Sequence, residues 1–294
     1  MRVTDILSSP VRRALRPLRG QTLLKVGLVI VSVYIVMAVV CGIYGILPYD
    51  PIKSYNSFPR LAPPSLAHPM GTDHLQRDVL SRVLAGGWAP IVVAFSSIAI
   101  SLTVGSILGW ISGFAGGLLD RVLSLTMDAI YSFPSMILAI ALVAVMQPGL
   151  VPMIMAIAVV YIPTYFRVTR AEVLQVREQT FVEAARALGA SGVRVLLRHI
   201  APNTVNAIMA VSSFNIADAI LTEAAMSFLG YGLPPPTPDW GFDIQNGQRF
   251  LQAGYWWLIT FPGLMILFLS LGFGLIGEGI SDLVNPKRRR KKVV

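Results

Sequence analysis

Apolar residues run through this chain in six long stretches, at about 23–47, 87–113, 121–147, 150–170, 204–229 and 255–280. Each reaches or exceeds the roughly 20 residues that an α-helix needs to cross the hydrocarbon core of a bilayer. In lipid every backbone N–H and C=O must be satisfied within the segment, so runs of this length are read as helices. The pattern predicts an all-α integral membrane protein with six transmembrane helices and no large soluble domain.

Three polar stretches between these runs have a periodicity of their own. Thr180 followed by Glu183 has the spacing of a capping box, and Phe181, Ala184, Ala185 and Leu188 then recur along one helical face until Gly189 stops it. After the Ser191–Gly192 turn, Val193, Leu196, Leu197 and Ile200 lie opposite Arg194 and Arg198, and Pro202 is expected to end this second helix. Farther upstream, the segment from His68 to Val83 reads as a loop running into an interfacial helix. Asp73 is the expected cap, Leu75, Val79, Val83 and Leu84 the buried face, and Asp73/Arg77 and Asp78/Arg82 the i,i+4 ion pairs. The run Pro234-Pro-Pro-Thr-Pro238-Asp239-Trp240-Gly241 reads as stiff, non-helical and outside the membrane, and Tyr255, Trp256 and Trp257 mark the return to the membrane at an aromatic belt.

Charge fixes an orientation. Only 13% of residues are charged against 54% hydrophobic, yet the net charge is +9. The basic residues sit beside the spans without the aromatic interleaving or zinc-type spacing of a nucleic-acid binder. Arg2, Arg12, Arg13, Arg16, Arg19 and Lys25 precede the first span, six arginines lie between Arg167 and Arg198, and Lys287 to Lys292 form the tail. By the positive-inside rule all three clusters are cytoplasmic, which demands four spans before the 167–203 loop and two after it. Both termini are therefore expected in the cytoplasm. The single cysteine, Cys41, excludes a disulfide within the chain, and the first span is too long for a signal-peptide core, so it reads as a retained anchor.

Ionisable and polar groups inside a span point to function, because they are costly in lipid and normally face a bundle interior or an aqueous path. Ser212, Asn215, Asp218, Thr222 and Glu223 fall within an arc of roughly 140° at 100° per residue in the fifth span. This stripe either lines a translocation path or bonds neighbouring helices. Asp128, near the end of the third span, reads as structural, through pairing or snorkelling. No Gly-rich loop ending in Gly-Lys-Ser or Gly-Lys-Thr exists, so the chain has no phosphate cradle for ATP. Gly189-Ala190-Ser191-Gly192 with His199 imitates a serine-hydrolase motif, but lies in a charged turn made of ordinary turn residues. His68, His74 and His199 are scattered across the topology and form no metal set, and no cofactor is expected.

Glu183, Ala184, Ala185, Gly189 and Pro202 resemble the Glu-Ala-Ala coupling loop of ABC importer permeases. The run Gly71, Thr72, Asp73, Arg77, Asp78, Ser81 and Arg82, together with Trp240 in its Pro-rich setting, is similar to the extracytoplasmic signature of the dipeptide, oligopeptide and nickel branch of that family, in its second-permease type. Gln76 departs from it by standing where Gly is usual, and Gly274 and Glu278 replace the common Asn and Asp. The resemblance covers about residues 68 to 286. It implies a type I ABC importer permease fold of the MetI-like kind with a cytoplasmic coupling helix. It also implies a second permease subunit, two ATPase subunits and an extracytoplasmic binding protein as partners, in the plasma (inner) membrane, and no catalytic residue in this chain. The implied domains are 1–86, holding the first span and the outer loop; 87–284, the core permease with its coupling loop at about 178–203; and 285–294, a basic tail. A secondary transporter using Asp218 and Glu223 for ion coupling is the alternative. Among peptides, nickel chelates and other small solutes the sequence does not choose.

Overall fold

The computed structural model describes residues 22–284 except Tyr55. The basic residues Arg2 to Arg19 and the tail from Lys287 to Lys292 therefore lie outside the described residues. Ten helices, with a short 3-10 helix at Gln248–Ala253 after the ninth, form the described part. α1 is Thr22–Ile43, with a π-helical last turn from Ala38; α2 is Val79–Gly86; α3, Trp88–Ala115; α4, Gly117–Tyr131; α5, Ser135–Met146; α6, Leu150–Arg177; α7, Thr180–Ala187; α8, Gly192–Phe228; α9, Trp240–Gly247; and α10, Trp257–Val284. No named strand occurs among these residues, only one isolated bridge between Thr72 and Asp78.

Five spans are continuous, those built from α1, α2 with α3, α6, α8 and α10, whereas the third is broken. α4 and α5 meet at 88° across Ser132, Phe133 and Pro134. The single helix expected over 121–147 is thus corrected to two. Proline removes a backbone donor and forces the residue before it out of the α region, which ends α4 ahead of Phe133. α4 then lies against α6, held by Arg170 on Asp120 (Nε–Oδ1 2.5 Å, Nη2–Oδ2 2.7 Å) and by Arg167 on Asp128 (2.7 Å). Asp128 is accordingly a structural residue.

α3 and α6 form the most extensive pairing in the bundle. A stripe of small residues on α3 makes it possible. Ser101 Oγ donates to the Ala158 carbonyl at 2.8 Å, and a Cβ placed at Gly105 or Gly109 would lie 2.6 Å from the Ile162 carbonyl oxygen or 2.8 Å from that of Phe166. Without a hydrophobic drive between helices in lipid, such close backbone approach supplies the packing energy. α1 rests on α10 in the same manner, with Gly27 against the Gly272 carbonyl.

The outer loop carries two corrections. Asp78, not Asp73, caps α2, accepting from the Ser81 N–H at 2.8 Å. Asp78 does not pair with Arg82 either: its other oxygen meets His68 Nδ1 at 3.0 Å, while Arg82 reaches Asp243 of α9 (Nη2–Oδ1 2.6 Å). The Asp73–Arg77 pair does form, at 2.7 Å, but buried and across a turn that ends in Gln76 at φ +61°, outside any helix. Asp73 there accepts the Leu75 and Arg77 N–H groups, both at 2.8 Å.

Two outcomes follow from this packing. Gly109→Ala is expected to cost about 1–3 kcal/mol through overpacking, and Gly109→Leu to abolish monodisperse protein, read by size exclusion in detergent. Gln76→Gly should stabilise the subunit by about 1 kcal/mol, because a left-handed backbone costs an L-residue that much; thermal unfolding would register the gain, and a loss would show that the Gln76 side chain does more than tolerate its turn.

Candidate coupling surface and translocation path

α7 sits between α6 and α8 at one end of the bundle. Its N-cap is Gln179 without a side-chain cap bond, so the Thr180–Glu183 capping box does not form. Gly189, at φ +82°, closes the helix: its N–H bonds the Arg186 carbonyl at 2.9 Å and that of Ala190 bonds the Ala185 carbonyl at 3.1 Å, a Schellman arrangement. A side chain there would be strained by backbone alone, since nothing lies within 4 Å of the site.

The inward face of α7 is Val182 with Ala185, and Val182 packs with Val173, Val195 and Ile200. The apolar residues read from periodicity divide. Ala185 and Ile200 turn inward, whereas Phe181, Leu188, Val193 and Leu197 are 45%, 88%, 69% and 61% exposed. Ala184 and Glu183 share the exposed side. The second helix departs from its expected face because Leu196–Ile200 forms a π turn, which adds a residue to the turn and shifts the register. That turn also absorbs Pro202. The expectation that Pro202 ends a helix is corrected: α8 runs unbroken from Gly192 to Phe228, with the proline in the first turn of its α-helical part.

The outer signature is a set of internal fasteners. Thr72 Oγ1 accepts from the Ala62 N–H at 2.8 Å and donates to the Pro59 carbonyl, and the Thr72 carbonyl accepts from Trp257 Nε1 at 3.2 Å. Gly71, at φ +76°, leaves room for that indole. Ser81 Oγ donates to Asp78 at 2.7 Å. The expectation of a non-helical run through Gly241 is corrected: Asp239 caps α9 from its first residue, Trp240, whose Nε1 donates to the Val83 carbonyl at 2.8 Å and whose ring meets Tyr34 edge-on at 6.0 Å. Asp243, which completes the Arg82 pair, is a partner that sequence reasoning missed; no local spacing reveals a contact 161 positions away.

The polar stripe of α8 separates into three settings. Ser212 bonds back to the Ile208 carbonyl at 2.9 Å, and with Asn215 it faces the Tyr165 hydroxyl of α6. Asp218 accepts from the Tyr161 hydroxyl at 2.5 Å, and Thr222 lies 3.5 Å from that same hydroxyl. This group borders a cavity of about 310 Å³ at the α4–α5 bend, lined also by Tyr131, Phe133 and Thr164. Glu223 is apart from it, buried at the outer end where Ser227 Oγ lies 3.3 Å from its carboxylate and 2.8 Å from that of Asp239. Burial pushes the Asp239 carboxyl above its ordinary range, against the opposing pull of the Phe242 N–H it caps. Tyr161, which organises the second setting, lay inside an apolar span with nothing in its spacing to single it out. Among the described residues no group of three or more His, Cys, Asp or Glu is placed to hold a metal ion.

Residues 105–290 match the family described as binding-protein-dependent transport system inner membrane component. The chain is 35% identical over 281 residues to the dipeptide transport system permease protein DppC of Alkalihalophilus pseudofirmus, covering 96% of this chain and 91% of that one. It is 37% identical over 275 residues to the probable D,D-dipeptide transport system permease protein DdpC of Escherichia coli, covering 94% and 91%. In fold it is similar to a chain of the MetNI methionine ABC transporter solved in inward-facing conformations, with a TM-score of 0.58 at 17% identity over 69% of this chain and 96% of that one. The family match and the relatives at 35–37% identity agree: the chain belongs to the binding-protein-dependent transport system inner membrane components, the permease subunits of ABC transporters, whose ATP-hydrolysing subunits are separate chains.

Proposed function

We propose that this chain is one of two permease subunits of an importer for short peptides, working with two ATPase subunits and an extracytoplasmic binding protein. The observation that carries the coupling role is α7: a short helix anchored by Val182 and Ala185 that leaves Phe181 and Leu188 in the open. A protruding apolar patch rimmed by charge is the signature of a docking site. Glu183, Ala184, Ala185 and Gly189 shape that helix, and Pro202 sits in the first turn of the lever it pushes, so ATP-driven closure of the ATPase pair reaches the bundle through α6 and α8. The names of the relatives support peptides as the solute class.

The two permeases form the path between them. Ser212, Asn215, Asp218 and Thr222 contribute the polar face of this half, with Glu223 closing the outer end. Residues 87–284 then act as the core transport domain and 1–86 as anchor and outer cover. The basic clusters support cytoplasmic termini and a cytoplasmic α7.

Orientation is read directly with single cysteines in a Cys41→Ser background. Ser191→Cys is expected to resist a membrane-impermeant maleimide in intact cells, and Gln252→Cys to label; both positions are exposed in the structure. The opposite pattern would invert the assignment.

Coupling is tested by Gly189→Val and Glu183→Lys in the assembled importer. Neither side chain packs into the bundle, so both complexes should assemble normally. Uptake and substrate-stimulated ATP hydrolysis should fall together, at least about tenfold for the valine, which meets a left-handed backbone position costing about 1–2 kcal/mol. Normal stimulated hydrolysis in both variants would remove α7 from the coupling route.

A further inference from the structure

Asp218 differs from Asp120, Asp128 and Glu223 in what it meets. Asp120 and Asp128 are paired with Arg170 and Arg167. Glu223 is enclosed with Ser227. Asp218 is exposed, and among the described residues no Lys, Arg or His comes within ion-pair distance of it. Its one direct bond is from the Tyr161 hydroxyl at 2.5 Å, which leaves the second oxygen open to the cavity.

Depth makes this unusual. Asp218 stands ten residues before the end of α8 at Phe228, and Tyr161 eleven after the start of α6 at Leu150, each about 15 Å along its helix. Both are therefore near the middle of a hydrocarbon layer about 30 Å thick. A bare carboxylate at that depth is costly unless water or a positive group satisfies it. The cavity, about 310 Å³, is walled by the rings of Tyr131, Phe133 and Tyr161 and offers the Thr164 hydroxyl beside the carboxylate. Its one formal charge among the lining residues is negative. Arg167, which lies over the Tyr131 ring at 3.9 Å, is paired with Asp128.

One carboxylate, hydroxyls and aromatic faces suit an organic cation. A hard divalent ion needs six or more oxygens, and nickel or zinc prefers imidazole or thiolate, which this cavity lacks. An ammonium needs a hydrogen-bonding anion on one side and accepts π-faces on the others. We propose that this cavity is a subsite for the terminal ammonium of a peptide, held by Asp218 and oriented by Tyr161. The proposal rests on the reading of the chain as a peptide importer subunit. A single anion, shared with a tyrosine hydroxyl, holds the charge firmly enough to draw it from water and loosely enough to release it, as a transport site must.

The test uses the complete importer with its binding protein in proteoliposomes and alanyl-alanine as the probe. Asp218→Asn should lower its uptake about tenfold, the effect of losing one charged hydrogen bond, and Asp218→Glu should keep most of it. Asp218→Cys in the Cys41→Ser background then separates charge from volume within one assembled protein. A sulfonatoethyl thiol adduct should restore uptake several-fold over the unmodified cysteine, and a trimethylammonioethyl adduct should not, with the Cys41→Ser parent as the control for other thiols. Wild-type rates in the Asn variant, or equal behaviour of the two adducts, would overturn the subsite while leaving the importer reading in place. Should the Asn complex fail to assemble, the adduct comparison still decides. No uptake of the dipeptide by the unaltered importer would remove the peptide reading and the subsite with it.

Discussion

The contact between α3 and α6 sets where α7 begins and where Tyr161 and Tyr165 stand. In a bilayer the two helices gain little by hiding apolar surface from lipid, so their pairing depends on distance, and distance depends on the absence of side chains at Gly105, Gly109 and Gly113. With the two backbones that close, the inner end of α6 lies beside the end of α3, where Arg177 bonds the Gly113 carbonyl at 2.9 Å. α7 begins from that fixed point. The same seam orients α6 so that Tyr161 and Tyr165 look toward α8. α7 therefore starts from one rigid pair, and the same pair presents Tyr161 and Tyr165 to the polar stripe of α8.

The two ends of the bundle are built on opposite principles. At the end that holds α2 and α9, charge is buried and paired, Arg82 with Asp243 and Arg77 with Asp73, while Asp78 is hydrogen-bonded to His68. Buried pairs of this kind add little net stability over apolar packing, but losing one partner strands the other at a cost of several kcal/mol. They act as address labels that lock loop, α2, α9 and α10 into one arrangement. At the α7 end, apolar groups are exposed and unengaged. That surface is incomplete by design of its sequence, since Phe181 and Leu188 add to the apolar arc beyond the width Val182 and Ala185 need to anchor it. One end of the bundle is closed by its own buried pairs, and the other leaves Phe181 and Leu188 exposed.

How much of this was legible in the sequence divides along the range of the interaction. Span positions rest on lengths of apolar chain, and Gly189 rests on a local stop, so both were readable. The break at Pro134 was readable in principle from the proline and was overridden by the apolar length around it. Asp78 as the α2 cap was one helical start away from the Asp73 that periodicity favoured. What could not be read was partnership across the fold. Arg82 and Asp243, or Tyr161 and Asp218, meet because helices far apart in sequence cross there. The π turn at Leu196–Ile200 hid for a different reason: it changes the phase of the helix, so a 3.6-residue period carried through it assigns the wrong inward residues. Val195, fully buried, was the residue lost by that error.

Asp218 and Glu223 lie five positions apart on one helix, and their fates bear on how the solute is driven. An ion-coupled carrier needs its carboxylates to exchange protons or cations with each side in turn. Glu223 is 2% exposed and shares Ser227 with Asp239, a setting in which the carboxyl serves the joint between α8 and α9. Asp218 alone opens to space, with a tyrosine for company and no second carboxylate within reach to hand a proton on. A lone anion facing a cavity binds a cation or hydrates; it does not make a relay. In an ABC transporter permease the energy comes from separate ATPase chains, and the reading proposed above places their contact on the exposed face of α7, which follows directly on α6, the helix that holds Tyr161.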